Sequence, residues 1–153
     1  MFYKAVTRVF RWEGGYSNDP HDRGGETNYG ISKSAYPNLD IKNLTPSGAR
    51  EIYRRDYWDK CNCDKMPYPV ALIVFDSAVN QGASTAARML QKCLDVEIDG
   101  VIGPQTIEAC KRPGTVIKFA AERIYRYTHC SGWERYGIGW TRRVADMILG
   151  GAE

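Results

Sequence analysis

No stretch of this 153-residue sequence approaches the roughly 20 consecutive apolar residues that a membrane-spanning helix requires. The longest apolar run, VALIVF at residues 70–75, has the length of buried core, so stable membrane insertion is not expected. A readable secretory leader is missing as well. Lys4, Arg8 and Arg11 interrupt any apolar segment in the opening MFYKAVTRVFRWEGG. We therefore expect synthesis in the cytoplasm, with a separate route of release for any action outside it. Histidine occurs only at His21 and His129, and the CNC at residues 61–63 lacks the two-residue spacer of a zinc knuckle. We expect neither a metal nor a cofactor. The five cysteines are odd in number, so at least one thiol stays free in a monomer, the expected state, and we read them as structural. There is no dense basic run. YRR and TRR are the richest pieces, and a net charge of +3 suits an anionic polymer but does not argue for nucleic acid. Repeats, low-complexity tracts and linkers are absent too.

What is present is an ordinary globular composition, 43% hydrophobic and 25% charged, long enough for one domain with a real core. Phe2, Tyr3, Val6, Val9 and Phe10 recur at helical spacing, which predicts a helix from Phe2 to about Glu13, stopped by left-handed Gly14 and Gly15. From Tyr16 to Ile31 the turn signals NDP, DRGG and NYG and the alternation of Thr27, Tyr29 and Ile31 predict a small hairpin or an ordered loop. Thr45 caps the next helix and Pro46 suits its first turn, with Ala49, Ile52, Tyr53 and Tyr57 on its inner face. VALIVFDSAVNQG is apolar almost all round and predicts a central buried helix ending at Gly82. Further helices are expected after a capping Ser84, from Pro104, across TVIKFAAERIYRYTHC, and across GWTRRVADMILGG. The fold class is mainly α, a helical bundle around a central buried helix with a small hairpin or ordered loop after the first helix.

The chemistry concentrates in EGGYSNDPHDRGGETNYGIS, residues 13–32. Glu13 is expected at the C-terminal end of the first helix, where the helix dipole disfavours a carboxylate, and Trp12 and Tyr16 can desolvate it. Both effects raise a carboxyl pKa towards that of a general acid. The plainer alternative is a glutamate on a helix surface. Asp22 follows after eight intervening residues and Thr27 after the Gly24-Gly25 turn. A second carboxylate and a hydroxyl facing an acid can hold and activate water, the arrangement of inverting glycoside hydrolysis. Turn chemistry alone explains Asp19 beside Pro20, and Glu26 reads as solvated or paired with Arg23.

This segment resembles the signature of glycoside hydrolase family 108, a family of phage endolysins and related bacterial muramidases. The downstream DSAVNQG and LQKCLDVEIDGVIGPQT are also similar to that family, the latter to its family 3 peptidoglycan-binding region. The resemblance covers nearly the whole chain. It implies a single lysozyme-like domain over 1–153, with a catalytic lobe near 1–82 and a helical peptidoglycan-binding-like lobe near 83–153. It also implies cleavage between N-acetylmuramic acid and N-acetylglucosamine, and it maps the catalytic glutamate onto Glu13. A more distant similarity to phage-type lysozymes maps Asp22 and Thr27 onto the other two site residues, although the Asp-to-Thr gap is one residue shorter here.

Several other residues are candidate sugar contacts. Tyr29 and Trp58 can stack on apolar sugar faces, though core packing explains Trp58 as well. Asp76 and Asn80 share one face of an otherwise apolar helix, either lining a cleft or forming a buried network that supports the hairpin. Trp133, Tyr136, Trp140, Arg142 and Arg143 suit an anionic glycan or plain helix packing. The expected partner is the glycan strand of peptidoglycan. A phage origin would imply release through a holin pore, with export as a bacterial effector the other route. A lytic transglycosylase and a non-catalytic peptidoglycan-binding protein are the alternatives.

Overall fold

The computed structural model describes residues 1–19 and 25–153. Asp22, His21 and Arg23, together with the Gly24 half of the glycine turn, lie outside the described residues. Seven α-helices and one two-stranded hairpin occur among the described residues, the mainly helical architecture expected. They fall into two compact units, Phe2–Arg55 and Asp56–Glu153.

In the first unit, α1 (Phe2–Phe10) buries Phe2, Ala5, Val6 and Val9 along one stripe. Each large apolar side chain buried this way contributes roughly 1.5–3 kcal/mol. The helix ends earlier than its periodicity suggests. Arg11 N and Trp12 N bond to Arg8 O and Val9 O, tightening the last turn. Gly14 and Gly15 are not left-handed, contrary to the expected stop. The chain instead runs on to Ser17, whose N–H and C=O both pair with Thr27 at 2.8 Å. A left-handed closure would fold the segment back before it reached that partner.

The hairpin joins β1 (Thr27–Asn28) to β2 (Ile31–Ser32), antiparallel, with Asn28 opposite Ile31. Tyr29 and Gly30, at φ +50° and +74°, form its turn. Two left-handed residues match the right-handed twist of the flanking strands. Tyr29 therefore sits in the turn and not in an alternating strand. Ile31 is buried, and Asn28 Nδ2 donates to Ile41 O at 3.1 Å, tying the hairpin to the following loop. Helix α2 (Pro46–Tyr53) starts as expected, with Thr45 Oγ1 accepting from Gly48 N at 3.1 Å. It passes directly into a π-helical turn, Arg54–Trp58.

The second unit is built on α3 (Tyr68–Gln81), where every residue from Val70 to Ala78 is buried. Gly82 ends α3 and also caps α4 (Ala83–Leu94), so Ser84 lies inside the first turn and is not the cap. Then follow α5 (Pro104–Ala109), α6 (Thr115–Thr128) and α7 (Trp133–Ala152). Helix α3 contacts α4, α6 and α7. At the far end of α7 a Cβ on Gly151 would lie 2.9 Å from Pro69 Cα, so only glycine lets those backbones meet this closely. Trp58 is fully buried against Phe75, ring centroids 5.2 Å apart. All five cysteines are free thiols, and burial pushes Cys93 and Cys110 up to about 11.

A charged cluster joins α3, α6 and α7. Asp76 and Arg123 are completely buried and Arg143 nearly so. Arg143 donates from Nε to Asp76 Oδ1 at 2.8 Å and brings Nη2 to 2.8 Å of the same oxygen. Arg123 Nη1 lies 2.7 Å from Asp76 Oδ2, an ion pair without hydrogen-bond alignment. Arg123 Nε donates to Tyr127 Oη at 3.0 Å, and that hydroxyl donates to Asn80 Oδ1 at 2.6 Å. Burial holds the Tyr127 phenol above its usual range. With one anion facing two cations, removing the anion leaves both guanidinium groups buried without it. Asp76→Ala is expected to cost about 3–5 kcal/mol in urea unfolding followed by circular dichroism. A cost no larger than the roughly 0.5 kcal/mol of an ordinary surface change would rule the cluster out as a structural tie.

Candidate active site

Glu13 lies three residues beyond α1, half-buried. Its position is set by what Gly30 lacks. A Cβ on Gly30 would lie 2.5 Å from Glu13 Oε2 and 2.8 Å from Tyr53 Oη. Carboxyl and phenol thus share the space where a side chain would stand, over the left-handed turn of the hairpin. Tyr53 reaches this point from the buried face of α2 and donates its proton to Tyr29 O at 2.7 Å. A phenol has one proton, so what Tyr53 can still offer a neighbour is a lone pair.

Aromatic packing stiffens the arrangement. Phe10 stacks on Tyr29 at 5.6 Å and meets Tyr53 edge-on at 5.1 Å. Ring pairs of this kind contribute about 0.5–1.5 kcal/mol each beyond burial. Sequence reasoning placed Tyr53 only on the inner face of α2. The available signal was the hydroxyl itself, which must find a partner when the ring is buried.

Thr27 sits in β1, half-buried, and its hydroxyl donates to Gly25 O at 3.2 Å. Asp22, the third residue of the expected site, lies outside the described residues. Glu26 accepts from Tyr16 Oη at 2.8 Å, across the Ser17–Thr27 bridge, and this bond holds the Tyr16 phenol above its ordinary range. The carboxylate of Glu26 is thereby part of the scaffold. Trp12 and Tyr16 flank Glu13 in the chain and are 36% and 46% exposed.

Asp76, Asn80 and Trp58 belong to the second unit. Asp76 and Trp58 are fully enclosed in the second unit, and Asn80, although exposed, bonds Tyr127. Trp140 packs between Tyr127 and Tyr136, at 5.0 and 6.0 Å. In the DGVIGPQT segment, buried Gln91 is the organiser. Its Nε2 donates to Asp99 Oδ1 at 2.7 Å and Val101 O at 2.9 Å, and its Oε1 accepts from Gly100 N at 2.8 Å. Asp99 also accepts from Val101 N, which with the Gln91 bond holds its carboxyl below the usual range. These polar groups shape the loop leading into α5. Among the described residues, no group of three or more His, Cys, Asp or Glu side chains is arranged to hold a metal.

The family model for glycosyl hydrolase 108 matches residues 6–82, which include Glu13, the hairpin and Tyr53. The chain is also similar to a solved structure of Brucella abortus SagA, at 34% identity and a TM-score of 0.87, over 99% of this chain and 93% of that one. No curated protein sequence matches it.

The glycines beside Glu13 are not equivalent. Among the described residues Gly14 has nothing within 4 Å of where a Cβ would stand, and it has no left-handed φ, whereas Gly30 has both obstacles. Gly30→Ala is expected to destabilise the protein by about 1–2 kcal/mol, and Gly14→Ala to change stability by less than roughly 1 kcal/mol. Urea midpoints of the two variants measured side by side test this. Equal midpoints would contradict the close approach of Glu13 to Gly30.

Proposed function

Because this chain belongs to glycosyl hydrolase family 108, we propose that it is an N-acetylmuramidase of the endolysin type. Its substrate is bacterial peptidoglycan and its target the β-1,4 bond between N-acetylmuramic acid and N-acetylglucosamine. The observation that carries the reading is the Glu13 carboxyl held over Gly30 beside a phenol whose proton is committed elsewhere. That carboxyl lies within the residues that the family model matches.

In this mechanism Glu13 gives its proton to the glycosidic oxygen as the bond to the anomeric carbon breaks. Asp22 stabilises the oxocarbenium-like charge and takes a proton from the water that attacks the anomeric carbon. Thr27 helps place that water. Its hydroxyl hydrogen is used by Gly25 O, which leaves its oxygen lone pairs to accept from the water. Trp12 and Tyr16 offer exposed rings for the apolar faces of the sugars. Residues 1–82 supply the chemistry in this reading, and 83–153 a further hold on the wall. The net charge of +3 favours approach to an anionic wall. The enzyme is made in the cytoplasm, acts as a monomer on glycan strands after release through a holin pore or by export, and takes no nucleic-acid partner.

Glu13→Gln keeps the shape of the side chain and removes its proton. We expect kcat on purified peptidoglycan to fall about 10²–10⁴-fold with KM little changed. Mass spectrometry of the released muropeptides reports the bond and the chemistry together. Reducing muramic acid ends are expected; anhydro ends would replace hydrolysis by transglycosylation. Binding to the wall without any cleavage by the wild type would leave a binding protein. Thr27→Ala is expected to lower kcat on the order of tenfold, the worth of one hydrogen bond of about 1.4 kcal/mol in the transition state. An unchanged rate would remove Thr27 from water placement.

A further inference from the structure

The buried charge cluster of the second unit does not end inside it. Its last member, Asn80, is the penultimate residue of α3 and stands exposed. The hydrogen bonds leading to it fix which way its amide faces. Arg123 Nε can only donate, and it donates to Tyr127 Oη at 3.0 Å. The single phenol proton is therefore free to be donated onwards, to Asn80 Oδ1 at 2.6 Å. Asn80 thus turns its carbonyl oxygen inwards and its Nδ2 amino group away from Tyr127. A surface amide ordinarily turns to suit water. Here the interior decides, because Arg123 is completely buried, Tyr127 nearly so, and Asp76 holds the guanidinium by its charge. Both Nδ2 hydrogens lack a partner among the described residues. Tyr127 also anchors an aromatic row. Trp140 packs on it with ring centroids 5.0 Å apart, and Tyr136 follows 6.0 Å from Trp140. Exposure rises along the row, from buried Tyr127 through half-buried Trp140 to exposed Tyr136. The Arg135 guanidinium already lies 5.3 Å from the Tyr136 ring. Among the described residues no cation rests on Trp140, whose indole keeps accessible surface.

We infer that Asn80 and Trp140 form a binding subsite for an N-acetylated sugar. Asn80 Nδ2 donates to the acetamido carbonyl, and the indole of Trp140 covers the apolar face of the sugar ring. The inference rests on the muramidase reading for the glycan that supplies the sugar. Both contacts are carried by one residue, Tyr127, which bonds the amide through its hydroxyl and packs the indole against its ring. Donor and platform are therefore held in fixed relation without depending on each other. The buried charges gain a second use: besides joining α3, α6 and α7, they orient a donor at the surface. A sugar that has lost its acetyl group presents an ammonium to Nδ2, where an acceptor is required. The subsite thus discriminates against de-N-acetylated strands by an unmatched donor facing a like-signed group.

The test is calorimetric titration with a β-1,4-linked tetramer of N-acetylglucosamine and with the same tetramer stripped of its acetyl groups. The wild type is expected to bind the acetylated tetramer about tenfold more tightly. Asn80→Asp keeps an oxygen for the Tyr127 proton and replaces the outward donor by an acceptor. It is expected to weaken the acetylated tetramer about tenfold and to tighten the stripped one, with no fall in the urea midpoint. Trp140→Leu is expected to weaken both tetramers alike, about fivefold, because the ring does not read the acetyl group. Equal binding of the two tetramers by the wild type would overturn the assignment without any variant. Unchanged binding in Asn80→Asp would overturn it too, as would a loss matched by a lower urea midpoint, which would reduce Asn80 to a prop. Tetramer binding through Asn80 by a wild type that cleaves no peptidoglycan would remove the muramidase reading and leave the subsite standing. Cleavage of peptidoglycan without tetramer binding would do the reverse.

Discussion

The arrangement around Glu13 depends on a missing side chain. Gly30 is the second residue of a two-residue turn that must be left-handed for the hairpin to close, and glycine meets that backbone demand without strain. The same choice leaves a gap over the turn, and the gap is filled from two sides, by the Glu13 carboxyl and the Tyr53 hydroxyl. Tyr53 in turn holds the carbonyl of Tyr29, the other turn residue. One position thus serves strand reversal, placement of the acid and attachment of α2. The aromatic contacts of Phe10 with Tyr29 and Tyr53 add rigidity to the turn beside the acid.

The second unit uses charge differently. Asp76 binds two arginines in a space without water-exposed surface, which is a costly way to join helices unless the groups satisfy one another. The surrounding phenol and amide complete part of the network. Apolar surfaces slide past one another with little penalty. A buried ion cluster permits far fewer relative positions of α3, α6 and α7.

Local chemistry was legible in the sequence. The Thr45 cap, the prolines that open α2 and α5, the apolar run of α3 and the NYG turn all act within a few residues, and all stand where they were expected. The departures come from partners distant in the chain. Gly14 and Gly15 read as a helix stop, but the bridge between Ser17 and Thr27 keeps that segment extended. Asp76 announced the need for a partner without naming it, and one of its partners, Arg143, is 67 residues away. Tyr53 looked like one more ring on an amphipathic helix. Only the folded hairpin shows that its hydroxyl meets the turn beside Glu13. Glu13 itself was legible as an ill-placed charge near a helix end, and the long motif around it pointed to the same residue.

The backbone contact between Gly151 and Pro69 has a bearing on the order of assembly. Pro69 opens the most buried helix of the protein, yet the residue that seals it is 82 positions later (151 − 69). At ~5–20 residues per second a ribosome needs roughly 4–16 s to cover that interval. Throughout it, the apolar surface of α3 that α7 will cover has no lasting partner, while the whole first unit has already been made. Birth order therefore separates the two units: the portion that carries Glu13 can mature early, and the portion with the deepest core must wait for its final helix.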